Sequence, residues 1–250
     1  MPLPAPAQDA DGAPIDFATR ARELLTNQLP RIAQRAERSV LRVLFAAGTD
    51  DALHDDDVRQ AAAAMRRVPD DGLLQIDVAP ADAQSLNDAA RAALGRRGSV
   101  QEAAELQMRA FGANPLDVEI AGNLALLQLR RRPLQMDSAR QLALLALTLP
   151  DARQPYGRIE DWTTLAIASA LTGRERDARQ AWLVTIALAP SLQRQCRVAA
   201  DAYAMYGERL RSSIESMLFR LRAAGRTDAS PFCGWPPFWA SSDSRPAMLR

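Results

Sequence analysis

The stretch from Trp162 to Pro190 constrains this chain more than any other. Trp162, Leu165, Ala168 or Ser169, and Leu171 recur at helical spacing, so a helix over 160–172 carries one apolar face. Gly173 suits the left-handed conformation needed just past a helix C-terminus. A second helix over 175–188 then returns. Its Ala178 falls where two helices come closest, and Trp182 fills the wider space one turn further on. Pro190 ends it. Such a pair cannot bury its apolar faces alone and needs stacked neighbours.

Trp162-x₂-Leu165-Ala166, Ala178-x₃-Trp182 and Pro190 lie on one template of about 34 residues. This order of residue types resembles a tetratricopeptide repeat, with Ala166 in place of the first glycine and Ser169 in place of the tyrosine. The resemblance implies an all-α fold, a right-handed α-solenoid of antiparallel helix pairs. It also implies an adaptor, because the inner helices of tetratricopeptide pairs line a concave groove that takes an extended peptide or a partner helix. Carried onto the first helices by register, the groove-lining candidates are Asn87, Arg91, Asn123, Leu127, Thr164 and Ala168.

Two further units precede this one. Over 84–115, Gly98, Ala103 and Pro115 match Gly173, Ala178 and Pro190, while Asn87 stands where Trp162 stands. Over 118–150 come Leu124-Ala125, Ala139, Ala146 and Pro150, with extra residues between Arg131 and Asp137. Pro80 lies nearly one period before Pro115, which allows a fourth unit upstream, although the interior of that stretch does not match. The connection from Pro150 to Trp162 is longer than an ordinary inter-repeat turn. Insertions in such arrays map to loops on one face, often the binding face; a solvated connection with no role is the alternative. Helices over 192–206 and 208–224 follow, separated around Gly207. The last has Leu210, Ile214, Met217 and Leu221 inside and arginines outside, as a C-terminal capping helix requires.

Upstream, residues 1–14 read as a proline-rich linker, and a methionine set directly on it suggests a piece of a longer, membrane-anchored protein. Helices are expected over 15–29, over 31–47 with Pro30 at the boundary, and over 56–67. Residues 70–81 suit either a short helix or an extended segment. Together 15–81 form N-terminal helices packed on the N-terminal end of the solenoid, whose repeats and cap span 82–225. The tail, 226–250, concentrates Phe232, Trp235, Phe238 and Trp239, and Pro236-Pro237 rules out helix there. These aromatics are candidate partner contacts, although packing against the chain's own body would hide a solubility liability. The last residues, 240–250, are polar and expected to be disordered.

Chemistry has little to stand on. His54 is the one histidine, flanked by Asp50, Asp51, Asp55, Asp56 and Asp57. Consecutive aspartates point in different directions around a backbone, and capping of the following helix explains them. A metal-dependent enzyme at that loop is the remote alternative. No lysine occurs, so all 31 basic residues are arginine, and Schiff-base and P-loop lysine chemistry are excluded. Nucleotide-binding glycine loops and the G-x-S-x-G elbow are absent. No catalytic, cofactor or metal residues are assigned.

The formal charge of +1 gives no global field for nucleic acid or anionic membrane. Arg96-Arg97 and Arg130 to Arg132 suit helix C-termini, with acidic-peptide or phosphate binding as a minor reading. No apolar run approaches the roughly 20 residues of a membrane helix. Cys196 and Cys233 allow at most one bridge and read better as two free thiols. The leading expectation is a non-enzymatic scaffold that binds a protein or peptide, in a bacterial envelope or secretion assembly, with the cytoplasm as the alternative compartment. Self-association into a homo-oligomer through the aromatic tail is the competing class.

Overall fold

The structure, a computed structural model, describes residues 16–46, 55–65, 78–95, 100–188 and Leu210. Every element in this range is a helix, and no strand occurs among the described residues. In chain order they are α1 (Phe17–Glu23), a π-helical turn (Leu24–Gln28), α2 (Leu29–Ala46), α3 (Asp55–Met65), α4 (Pro80–Gly95), α5 (Val100–Ala113), α6 (Val118–Arg130), α7 (Met136–Thr148), α8 (Ile159–Leu171) and α9 (Glu175–Leu188).

The N-terminal boundary expected at Pro30 is not a break. The chain runs helically from Phe17 to Ala46, because the π turn just before the proline widens the spiral. The Leu29 N–H reaches back to the Leu24 carbonyl, five residues away. That wider turn accommodates a ring that would otherwise clash with the carbonyl four residues back, at Thr26. Asp16 opens the helix, its Oδ1 accepting from the amides of Ala18 at 3.0 Å and Thr19 at 3.3 Å.

The unit at 159–188 follows its expected chemistry. At the end of α8 Gly173 has φ of 77°. Its N–H donates to the Ala170 carbonyl at 3.1 Å, and the Arg174 N–H to the Ser169 carbonyl at 2.8 Å, a complete Schellman cap. Trp162, Ala178 and Trp182 are all buried. Of residues 70–81, those described place Val78 and Ala79 before a helix that starts at Pro80.

Consecutive helices pack as pairs, α4 with α5, α6 with α7 and α8 with α9, and each pair meets the next through α5 with α6 and α7 with α8. The long N-terminal helix lies somewhere other than expected. Rather than sitting on one end, it packs on the second helix of each described pair: α1 on α5, and α2 on α7 and α9. About 30 residues at 1.5 Å each reach roughly 45 Å, enough to span three pairs. Beyond it, α3 packs on α2 and α9.

Two devices fix this crossing. Gly112, inside α5, faces the backbone of α1: a Cβ there would overlap the Phe17 carbonyl oxygen and lie 3.2 Å from the Ala21 nitrogen. Further along, Glu37 on α2 accepts from Arg140 on α7 and, at 3.1 Å, from Arg174 at the start of α9. Asp177 stands 3.6 Å from the same Arg140 nitrogen, so this buried guanidinium is neutralised from two sides. The core between these layers is built from alanine at close approaches and leucine elsewhere. Leu124, Leu129, Leu142, Leu144 and Leu165 are fully buried, each contributing about 2 kcal/mol.

Several expectations concern residues outside those described: the linker 1–14, His54 and its preceding aspartates, 70–77, Gly98, the helices over 192–206 and 208–224 apart from Leu210, Cys196, Cys233, and the tail with Phe232, Trp235, Phe238 and Trp239. Leu210 itself is buried in the main core.

Candidate partner-binding site

The first helices α4, α6 and α8 are tied together by side-chain amides and charges rather than by oily contact alone. Asn87 on α4 is fully buried and stands at the centre. Its Oδ1 accepts from Gln107 Nε2 of α5 at 3.0 Å and from Asn123 Nδ2 of α6 at 3.2 Å. Its Nδ2 donates to Glu119 Oε1 at 3.5 Å, and Arg91, one turn along α4, donates to the same oxygen at 3.0 Å. Gln107 also donates to the Ile120 carbonyl at 3.1 Å. A buried amide with its oxygen and nitrogen both engaged costs little to bury and fixes register, since a slip would orphan several groups at once.

Arg158, just before α8, continues the network. Its Nη2 donates to Asn123 Oδ1 at 3.1 Å and its Nη1 to the Glu119 carbonyl at 3.2 Å. Its Nε lies 3.8 Å from Asp161, whose carboxylate is buried against α6. Gly122 makes that contact possible, because a Cβ on it would overlap Asp161 Oδ1 and come 3.3 Å from Arg158 Nη1.

Beside this network a cleft of about 800 Å³ opens at the N-terminal ends of α6 and α8. One wall is the turn into α6, where Asp117 caps the helix through the Ile120 amide at 3.0 Å. The long connection also lines it, through Pro150, Asp151, Arg153 and Gln154, together with Arg158 to Glu160, Val78 and Gln84. That connection is shaped by its own turns. Asp151 Oδ1 accepts from the Arg153 amide at 2.9 Å, and Gly157 turns the chain at φ of 84°. The Trp162 indole N–H donates to the Tyr156 carbonyl at 3.1 Å, which pins the loop to α8. Four carboxylates (Asp117, Glu119, Asp151, Glu160) and two guanidiniums (Arg153, Arg158) surround the space, with Val78, Leu116 and Ile159 as apolar contacts.

Of the residues placed on the groove by register, Asn87, Arg91 and Asn123 meet in the network at the edge of this cleft. Leu127, Thr164 and Ala168 are buried in the body of the protein. For the last two the reason is that α8 is enclosed on every side from Asp161 to Ala170. Thr164 spends its hydroxyl on the Glu160 carbonyl at 2.7 Å. Gln107, Glu119, Gly122, Arg158 and Asp161 escape a reading by repeat register; the length of the 151–161 insertion is the sequence signal that points toward Arg158.

At the start of α3, Asp56 stands 3.1 Å from Arg59, three residues on. Among the described residues no group of histidine, cysteine and carboxylates is arranged to hold a metal ion, and no helix is long and apolar enough to cross a membrane. No protein-family model, no characterised protein and no solved structure matches the chain.

Proposed function

We propose that the chain is a non-enzymatic interaction scaffold, a tetratricopeptide-like array of helix pairs that takes a peptide or partner helix in the cleft at the N-terminal ends of its first helices. The observation that carries this reading is the asymmetry of the two sides. The second helices α5, α7 and α9 are covered by the chain's own N-terminal helix, whereas the side of α4 and α6 bears an open cleft and polar side chains held in position. In this reading the pairs stack as a superhelix. The first helices start at Pro80, Val118 and Ile159, further apart than a period of about 34 residues. In the second of these two intervals the surplus falls in the connections 131–135 and 149–158, and the latter walls the cleft.

Carboxylates outnumber guanidiniums around the cleft, so the favoured ligand is a segment with arginine or lysine beside an apolar residue. Selection from a displayed peptide library tests this. The expected outcome is a basic-apolar consensus whose binding weakens roughly tenfold with Asp151→Arg or Val78→Arg. A library that yields no consensus, or one indifferent to both substitutions, would sink the proposal.

A further inference from the structure

We infer that the outer face of α2 is a second docking surface, and that its partner is an acidic protein segment. Arg31, Arg35, Arg38 and Arg42 are all exposed and follow one another at alternating four- and three-residue steps. That spacing sets them in one row about 16 Å long on a single face of the helix. The row cannot rotate away from solvent, because Leu29, Ile32, Ala36 and Val40 anchor the opposite face in the core.

What distinguishes this row is that four guanidiniums without counter-charge follow one another along a single helix face. Elsewhere Arg59, Arg91, Arg140, Arg158 and Arg174 each have a carboxylate within 4 Å. Along the row, the neighbours three and four positions away are Asn27, Gln28, Gln34, Ser39 and other members of the row, besides apolar residues. Glu37 is on the same helix, but its carboxylate is committed to Arg140 and Arg174. Like charges at this spacing repel, so the folded chain holds a standing electrostatic cost that an anionic partner would remove. Among the described residues none of the four has an ion-pair partner.

The choice of partner follows from geometry. A carboxylate takes a guanidinium through two parallel hydrogen bonds, and glutamates on a helix recur at the same three- and four-residue steps as the row. Leu41 and Phe45 flank the row; the Arg176 guanidinium lies 5.2 Å over the Phe45 ring, and the 47% of Phe45 still exposed gives an acidic amphipathic segment an apolar contact. On α2 the apolar face that an interfacial helix would insert is already buried, so a lipid surface would have charge alone to hold it. This surface lies on the covered side of the helix pairs, away from the cleft, so its failure would leave the cleft reading untouched.

The test uses the full chain and a synthetic helical peptide with glutamates at matching alternating steps, against a peptide of the same composition with its glutamates clustered. The matched peptide is expected to bind more tightly, to weaken with added salt, and to lose roughly tenfold or more when all four arginines become glutamine. Arg109→Gln with Arg130→Gln, also exposed arginines, should leave binding unchanged, and circular dichroism should show both variants folded. Equal binding of the two peptides, or binding indifferent to the four substitutions, would overturn the inference. So would tighter, row-dependent binding to phosphatidylserine vesicles or to a single-stranded oligonucleotide. Concentration-dependent self-association that disappears in the four-fold variant would assign the row to a second copy and equally overturn it.

Discussion

Gly112 in α5 and Gly122 in α6 both lie inside helices, and each lets something approach that an alanine would push away. At Gly112 the visitor is backbone, the Phe17 to Ala21 turn of the helix that crosses the second helices. At Gly122 it is a side chain, the buried Asp161 carboxylate with Arg158 beside it. Backbone cannot retreat without moving a whole helix, whereas a carboxylate can swing at the cost of its partners. One close approach therefore holds layers together and the other holds a polar cluster in place. The two sides of the molecule differ in the same way: one is sealed by packing, the other organised by hydrogen bonds.

Substitutions at the two glycines should separate these roles. Gly112→Ala should cost about 3 kcal/mol by forcing the layers apart, even after the helix gains about 1 kcal/mol in propensity. Chemical denaturation reads the loss, and hydrogen exchange should place it in residues 17–46. Gly122→Ala should cost less, about 2 kcal/mol, while weakening peptide capture in the cleft more than it weakens the fold. If Gly112→Ala proved harmless, the crossing of α1 on α5 would be wrong.

A third variant probes the far end of the crossing. Glu37→Ala leaves the Arg140 guanidinium with Asp177 alone, at 3.6 Å, and should destabilise by about 2 kcal/mol in thermal melts. Next comes Arg158→Ala, which removes the bonds to Asn123 and to the Glu119 carbonyl and should cost about 1 kcal/mol. Its larger effect should be a mobile 151–158 connection, visible as faster amide exchange there.

The smallest effect is at the helix start. The Thr19 hydroxyl, with the Thr19 and Ala18 amides, holds the exposed Asp16 carboxyl below its ordinary range. A carboxyl lowered on folding stabilises above its unfolded pKa and loses that contribution as the pH falls through its folded value. The melting-temperature difference between the wild-type chain and Asp16→Ala should therefore shrink toward acid pH. A difference that grew instead would contradict the cap.

Much of the helical framework was legible in the sequence, for local reasons. Gly173 ends α8 because a left-handed position is cheap only for glycine there, and Trp162, Ala178 and Trp182 are buried because a helix pair needs one small and two large residues at those places. What was not legible depends on which surfaces meet. Periodicity gives α2 an apolar face but does not say that this face covers α7 and α9. Pro30 reads as a stop, and only the π turn before it lets the helix continue. Asn87 looked like a degraded aromatic position, yet it is the hub of the polar network, because an amide can bridge three helices where a tryptophan would fill space between two. Thr164 and Ala168 were assigned to a groove by register alone, and the enclosure of α8 takes them out of reach.

The most direct test of the cleft is hydrogen exchange on the full chain with and without a library-selected peptide. Protection is expected to rise over residues 116–123 and 151–160 while the amides of α1 and α2 exchange as before. Protection that appeared on the crossing helix instead, with the cleft segments unchanged, would put the partner on the wrong side of the molecule and contradict the assignment.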